Sequence, residues 1–454
     1  MFTLTTPRGD LMTSTRWLAV AAALTTCLSA AACGSDTGTS SQPVGQGGAG
    51  GTVTLDYWTD KQGSEAAVAA FNAAHKDVQL KYVKVPAADL VKNLRNAHKA
   101  GDKATMPCIA QTDNRNGGQL LSEGVIKDIT QEVGRNAAKF SPGGVEAVTL
   151  AKIAYGVPNK RDPLFSMYYK PIFEERGLKY PTTWEELIDI GKKHLKKDGV
   201  AVFNLAGEDP STMMGLAWQA GARWYTIQGD AWKINFTDEA SKWSADIMQQ
   251  LLDNDLVEKI SYAEYAAMMQ EYDQGKIAMR QVSTWQLAGH QRNMKDSLGK
   301  WEAGPNLLVK GQSEPVSAAD TGALVVPSLC KDTAKAAEAA LWLATESKPV
   351  AAMADPVGGS GWYPAVTDPA PYLDAVLPKQ LWGEHAEAGK QVIADSDNFA
   401  SDWVYGPNST AMYEELADKW GKAMNGEMKV ADVLTHMQQW TVDDLKQKGV
   451  KVVG

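Results

Sequence analysis

Residues 155–193 read YGVPNKRDPLFSMYYKPIFEERGLKYPTTWEELIDIGKK, and this stretch decides how the rest of the chain is read. Ile153–Val157 and Leu164–Tyr169 both have the apolar spacing of extended chain. Between them Pro158–Asn159–Lys160–Arg161–Asp162–Pro163 is a polar break bounded by prolines. A helix then opens at Thr183, with Glu186 three residues on, the pattern of a capping box. Glu185 and Glu186 are acidic residues in a first helical turn. The helix dipole explains them without any catalytic role.

Working outward, the chain alternates strand and helix on the N-terminal side. Val53, Leu55 and Tyr57 alternate as in a strand. A helix follows, with Ser64 as its expected N-cap. Val78–Val85 is a second strand, a helix runs from about Asp89 to Lys99, and MPCIAQTD (106–113) gives a third strand. Such an order predicts an α/β protein with a parallel sheet covered on both faces, and ligands at the C-terminal strand ends. Those ends carry Trp58–Thr59–Asp60 and Asp113–Asn114–Arg115. On the C-terminal side, 211–255 reads as mostly helical with a turn at IQGDAW. Residues 268–285 read as helix, Gly275, then a short strand leading to Trp285. Residues 322–347 read as strand, loop and helix. GGSGWYPAV (358–366) is a Gly-rich loop, and the remainder is helical.

The extreme N-terminus has the form of an export signal: Arg8 and Arg16, then an apolar run from Trp17 to Ala32 that is short for a membrane span. LSAAAC ends that run at Cys33. Residues 34–51 are Gly, Ser, Thr and Gln with little that could pack, a flexible tether of about 20–25 Å r.m.s. reach. Cys33 is either the lipidated residue of a lipoprotein or the neighbour of a plain cleavage site, Ala30 standing where a lipobox usually has Leu. The net charge of −9 argues against nucleic acid as a partner. HExxH, GxSxG and P-loop patterns are absent from the sequence and the six histidines are scattered, so no catalytic or metal motif is legible and no cofactor is expected. Of four cysteines, Cys108 and Cys330 lie in the expected folded part, as a disulfide or as two buried thiols.

Four spans together resemble one family, the extracellular solute-binding proteins of bacterial ABC importers, in particular the carbohydrate group that includes maltose-binding protein. They are 155–193, YDQGKIAMRQVSTW (272–285), GGSGWYPAV (358–366) and the lipoprotein-type N-terminus. The resemblance covers 51–454. It implies two α/β lobes joined by hinge crossings, with the ligand in the cleft between them. Carried onto this chain it implies a signal at 1–32 and a lipidated Cys33 with linker at 33–51. Lobe one is then 52–158 plus 314–355, and lobe two 159–313 plus 356–454. It implies a carbohydrate ligand, an ABC permease as partner, a monomer held on the outer face of the cytoplasmic membrane through Cys33, and no enzymatic step. It also places Cys330 near Cys108, because the strand after the return crossing would run antiparallel beside the third strand.

A sugar offers hydroxyls in the ring plane and apolar C–H faces, so its site needs aromatic platforms and polar side chains. Fifteen Trp against eight Phe makes such platforms available. Trp184, Trp243, Trp342, Trp420 and Trp440 fall in helices and are read as packing. Trp58, Trp285, Trp362 and Trp403 fall in loops or past strand ends and are the aromatic candidates, with Tyr363 beside Trp362. The resemblance favours Trp285 and Trp362. Trp218 and Trp224 are equally well explained as a helix flank. Asp60, Asp113 and Arg115 are the polar candidates, with helix capping as the competing role of Asp113. Lys160 and Arg161 are read as solvated hinge charges. The alternative keeps Arg161 as a ligand residue for an anionic solute, such as a uronate or a glycerol phosphodiester. An exported carbohydrate-active enzyme is the reading from another class.

Overall fold

The structure, a computed structural model, describes residues 51–309, 311–400 and 402–453. The signal, Cys33 and residues 34–50 lie outside the described residues.

The first sheet is five-stranded. Its spatial order is Val78–Lys84, Val53–Thr59, Ile109–Asp113, Ala319–Val325, Val157–Pro163. The first three strands are parallel, and Ala319–Val325 runs antiparallel to both of its neighbours. Helices Ser64–Ala74 and Ala87–Ala100 connect the parallel strands. One face of the sheet packs Leu55, Tyr57 and Leu324 against Val68, Phe71 and Ala340. The other packs Ala110, Ala323 and Val325 against Leu94 and Leu120. Cys108 and Cys330 are joined by a disulfide with a Cα–Cα separation of 4.8 Å. It ties the chain entering one strand to the chain leaving its antiparallel neighbour.

Several local expectations change. Gly63, in the left-handed region at φ 92°, is the N-cap of the first helix, and Ser64 is its first residue. A Cβ at Gly63 would lie 2.4 Å from the carbonyl oxygen of Ala352, so glycine is needed for space as well as for conformation. Thr183 accepts a hydrogen bond from the Glu186 backbone N–H, as a cap should. The Glu186 carboxylate reaches one residue further back, to the N–H of Thr182. Residues 225–228 and 231–234 form an antiparallel hairpin where the sequence reads as a turn between helices.

The largest correction concerns 158–163. It is not a polar break but the edge strand of the first sheet, paired with Ala319–Val325. An edge position tolerates its prolines because one side of the ladder is open. Lys160 and Asp162 point inward and are buried, while Asn159 and Arg161 are half-buried. The first sheet therefore holds the chain to Pro163 rather than 158, and takes it back at Ala319 rather than 314. A Cβ on Gly322 would sit 2.7 Å from Lys160 Cγ and 2.8 Å from Asn159 Oδ1, so the facing strand must be bare there.

The second region is built on a smaller antiparallel sheet, Met279–Val282, Phe165–Tyr169 and Trp301–Gly304. Two apolar cores pack around it, one centred on Trp184, Met248 and Trp420, the other on Phe165, Trp301 and Trp382. Residues 356–366 run back along the first region before the helix Ala370–Val376. The Ser141 N–H donates to the Ala365 carbonyl, and the Arg161 N–H donates to the Tyr363 carbonyl.

Candidate functional site

A cleft of about 800 Å³ opens between the two regions. A second cavity of about 390 Å³ continues it and shares Asp113, Trp285, Arg292 and Asp320 as lining. One wall is the C-terminal ends of the first sheet's parallel strands, at Asp60 and Asp113–Arg115, with Asp320 from the start of the antiparallel strand between them and the edge. Parallel strands end there with helix N-termini beside them, the usual place for a ligand in such a sheet. The facing wall comes from the second region: helix Ser211–Gln219, Tyr262 and Tyr265, Arg280, helix Thr284–Asn293, and Tyr405 and Tyr413.

The sequence candidates divide. Trp285 lies on the rim of both cavities and is 47% exposed, unusual for tryptophan. It stands in the first turn of a helix, not in a loop, and Ser283 and Gln286 close a capping box around it. Trp362 lines the smaller cavity but is only 4% exposed, with the Lys160 ammonium 5.6 Å from its ring centroid. Tyr363 is buried in the second region's core and lines neither cavity. Trp58 is a strand residue packed with Val83 and Leu90 against the sheet, and lines neither cavity. Trp403 stacks on Trp218 at 5.2 Å and 11° and, with Arg161, lines a separate cavity of about 520 Å³ that shares Asn114, Trp218 and Tyr405 with the larger one. Asp60 reaches the smaller cavity while accepting from the Ala87 N–H at 2.7 Å. Asp113 lines both cavities and also caps a helix, its Oδ1 accepting from the Asn116 N–H at 2.9 Å. Arg115 lies 4.4 Å over the Tyr413 ring and 3.7 Å from Asp113 Oδ2.

Lys160 and Arg161 are not solvated. The Lys160 ammonium bridges Asp162 at 2.7 Å and Asp320 at 2.5 Å. Asp162, fully buried, also accepts from the Tyr363 N–H at 2.6 Å and from the Thr284 hydroxyl at 3.3 Å. One carboxylate thus fastens the edge strand, the 356–366 segment and the first turn of the Trp285 helix. Burial pushes the Asp162 carboxyl up to about 6, against the pull of Lys160 and with the like charge of Asp320 behind it. Arg161 donates to Asp397 at 2.8 Å and stacks on Phe399 at 3.5 Å. It lines neither cavity of the cleft.

Other residues of the wall were not legible as candidates. Trp218 was, in AWQAGARWY, but no pattern separates it from Trp224, which is fully buried. Tyr262 and Tyr265 sit where the chain enters the helix Tyr265–Asp273. Tyr265 comes close to the facing helix only because residue 289 is glycine: a Cβ there would lie 2.6 Å from its hydroxyl. Tyr413 donates to Asp209 at 2.7 Å, which fixes both at the cleft. Arg280 and His290 lie deep in the same wall, 9% and 1% exposed. His290 is held neutral, its value down to about 3, by burial and then by the Arg280 charge. Its Nδ1 lies 2.7 Å from the Gln286 carbonyl and must carry the proton, since a carbonyl only accepts.

Among the described residues, no group of three or more His, Cys, Asp or Glu is placed to hold a metal. No described helix is long and apolar enough to cross a membrane. The arrangement offers aromatic faces, neutral and charged hydrogen-bonding groups, and room for a small organic molecule touching both walls.

Comparison with known proteins places this architecture. The chain is similar to the galacto-N-biose/lacto-N-biose I-binding protein of the ABC transporter from Bifidobacterium longum, solved with lacto-N-biose. The two are 25% identical over 89% of this chain and 100% of that one, with a TM-score of 0.76. The binding protein from B. animalis subsp. lactis, solved with β-1,6-galactobiose, shares the fold at 20% identity, over 89% and 100% of the chains, with a TM-score of 0.73. Maltose-bound T. maritima MalE3 does so at 15% identity, over 86% and 98%, with a TM-score of 0.66. The fold is the two-lobe one of periplasmic binding proteins. Residues 55–348 match the family model described as bacterial extracellular solute-binding protein, and the chain belongs to that family.

Proposed function

We propose that the protein is the substrate-binding component of an ABC sugar importer. It captures a carbohydrate, by the size of the cleft an oligosaccharide, and delivers it to a membrane permease. The observation that carries this reading is the lining of the cleft: Trp218, Tyr262, Tyr265, Trp285, Tyr405 and Tyr413 stand among Asp113, Arg115 and Asp209. Flat aromatic faces suit the C–H faces of pyranose rings, and the polar groups suit their hydroxyls. The lacto-N-biose bound to the B. longum relative supports the same substrate class. A ligand touching both walls favours the closed form, and the permease reads that form. Binding alone suffices, and no bond is broken.

The exported chain is held, in this reading, on the outer face of the cytoplasmic membrane by lipid on Cys33, and works as a monomer. LSAAAC and the Gly/Ser-rich segment after it support the anchor. Two or more acyl chains hold a protein stably where one is marginal. The anionic-solute alternative loses its support at Arg161, which Asp397 and Phe399 already occupy. Titration calorimetry and tryptophan fluorescence against glucans, galactosides and xylo-oligosaccharides test the proposal. Tight binding of an intact sugar is expected. Product accumulating over hours, or no binding to any sugar, overturns it.

A further inference from the structure

Arg280 carries a positive charge that nothing in the described chain answers. The residue is nine-tenths buried and lines the larger cavity. Its Cζ lies 5.7 Å from the Tyr262 ring centroid and 5.4 Å from that of Tyr272, one N–H meets the Met268 sulfur at 3.3 Å, and the neutral Tyr272 hydroxyl lies within its hydrogen-bonding reach. Among the described residues it has no ion pair. Asp209, on the same cavity wall, has its Oδ1 taken by the Ser211 N–H and the Tyr413 hydroxyl. A buried cation without a counter-charge is costly, and ring faces and a thioether offset only part of that cost.

His290 sits beside it. With the proton on Nδ1, its buried Nε2 is a lone-pair acceptor, and that atom has no partner. The ring also lines the larger cavity. The same corner thus holds an unanswered fork of N–H donors and an unanswered acceptor. A carboxylate matches the fork, with two oxygens in one plane. A hydroxyl on a neighbouring carbon matches the acceptor.

We propose that the cleft selects an acidic sugar, a hexuronate residue whose carboxylate pairs with Arg280 while an adjacent hydroxyl donates to His290 Nε2. This rests on the carbohydrate reading of the cleft and names the class of sugar within it. It places the acidic subsite in the second region's wall rather than at Arg161.

The test is titration calorimetry of the purified protein with matched pairs: digalacturonate against galactobiose, and glucuronic-acid-substituted xylotriose against xylotetraose. At least one acidic member is expected to bind ten-fold or more tighter than its neutral partner. Arg280→Gln should abolish that preference, and Arg280→Lys should keep part of it. Thermal melts check that both variants are folded. The wild-type comparison needs no variant. Neutral sugars binding as well as or better than acidic ones overturn the acidic subsite and leave the carbohydrate reading standing. An acidic preference that survives Arg280→Gln overturns the role of Arg280. No binding by any member overturns the acidic subsite, and the carbohydrate reading falls with it only if the glucans also fail to bind.

Discussion

Two stretches of this protein carry buried cations, and their surroundings differ. In Val157–Pro163, Lys160 meets two carboxylates and Arg161 meets Asp397 and an aromatic face. In the wall from Arg280 to His290, the guanidinium meets rings and a sulfur, and the imidazole Nε2 meets nothing. Each stretch lies between the regions and borders the cleft. Charge answered from within the chain fixes one part of the fold to another. Charge left unanswered beside a cavity is available to a ligand, because removing it from water is only worthwhile if something restores its pairing.

This contrast can be broken by experiment, most forcefully at Asp162. Asp162→Ala strips partners from Lys160, Thr284 and the Tyr363 N–H at once. Stability should fall by about 3–5 kcal/mol, measured by urea denaturation. A variant as stable as wild type would show that the strand is not held by its charges. The disulfide fastens the same sheet covalently. Cys330→Ser should lower stability by about 2–4 kcal/mol, and reductant should reproduce the loss in the wild type but not in the variant.

The two stretches should also respond oppositely to pH. The native value of His290 lies near 3, below its ordinary 6.5. Between those values the unfolded chain binds a proton that the native chain refuses. Its contribution to stability is therefore fully present above about pH 6.5 and is lost as pH falls. Asp162, raised to about 6, has the reverse sign: the stability it contributes declines as pH rises from its ordinary 3.8 toward 6. His290→Gln removes the first effect alone. The stability advantage of wild type over this variant should shrink by about 2 kcal/mol between pH 7 and pH 5. An advantage independent of pH would mean that His290 titrates in the native state as it does in the unfolded chain. The smallest effect belongs to the rim. Trp285→Ala should weaken sugar binding by about 1 kcal/mol while changing stability by less than about 0.5 kcal/mol, read by calorimetry and melting in parallel. Unchanged affinity would remove Trp285 from the site.

Much of the fold was legible because it depends on local periodicity. Val53–Thr59 alternates as a strand, Val78–Lys84 and Ile109–Asp113 are short apolar-led runs, and their intervening helices follow from apolar spacing. The edge strand was missed because its inward residues are Lys160 and Asp162, which read as solvent-facing until a partner is known. The hairpin at 225–234 was missed for a related reason, since only long-range pairing makes so short a segment a strand. At the site, Asp113, Arg115 and Trp285 were legible from strand ends and motif position. Trp58 and Tyr363 share the same signals and pack inside, because a loop or strand end does not say which way a side chain turns. Arg280 lies inside the span 272–285 and His290 just beyond it, but nothing in the pattern marks either as a ligand residue.

By itself the sequence determined the α/β order of elements, the helix start at Thr183 and the supply of aromatic residues, each of which is set by neighbours a few positions apart. The tertiary structure alone decided which charges are answered. Lys160 finds Asp320 160 residues away, and Arg161 finds Asp397 236 residues away. Whether a buried charge is structure or site depends on such distant partners, and no local pattern encodes them.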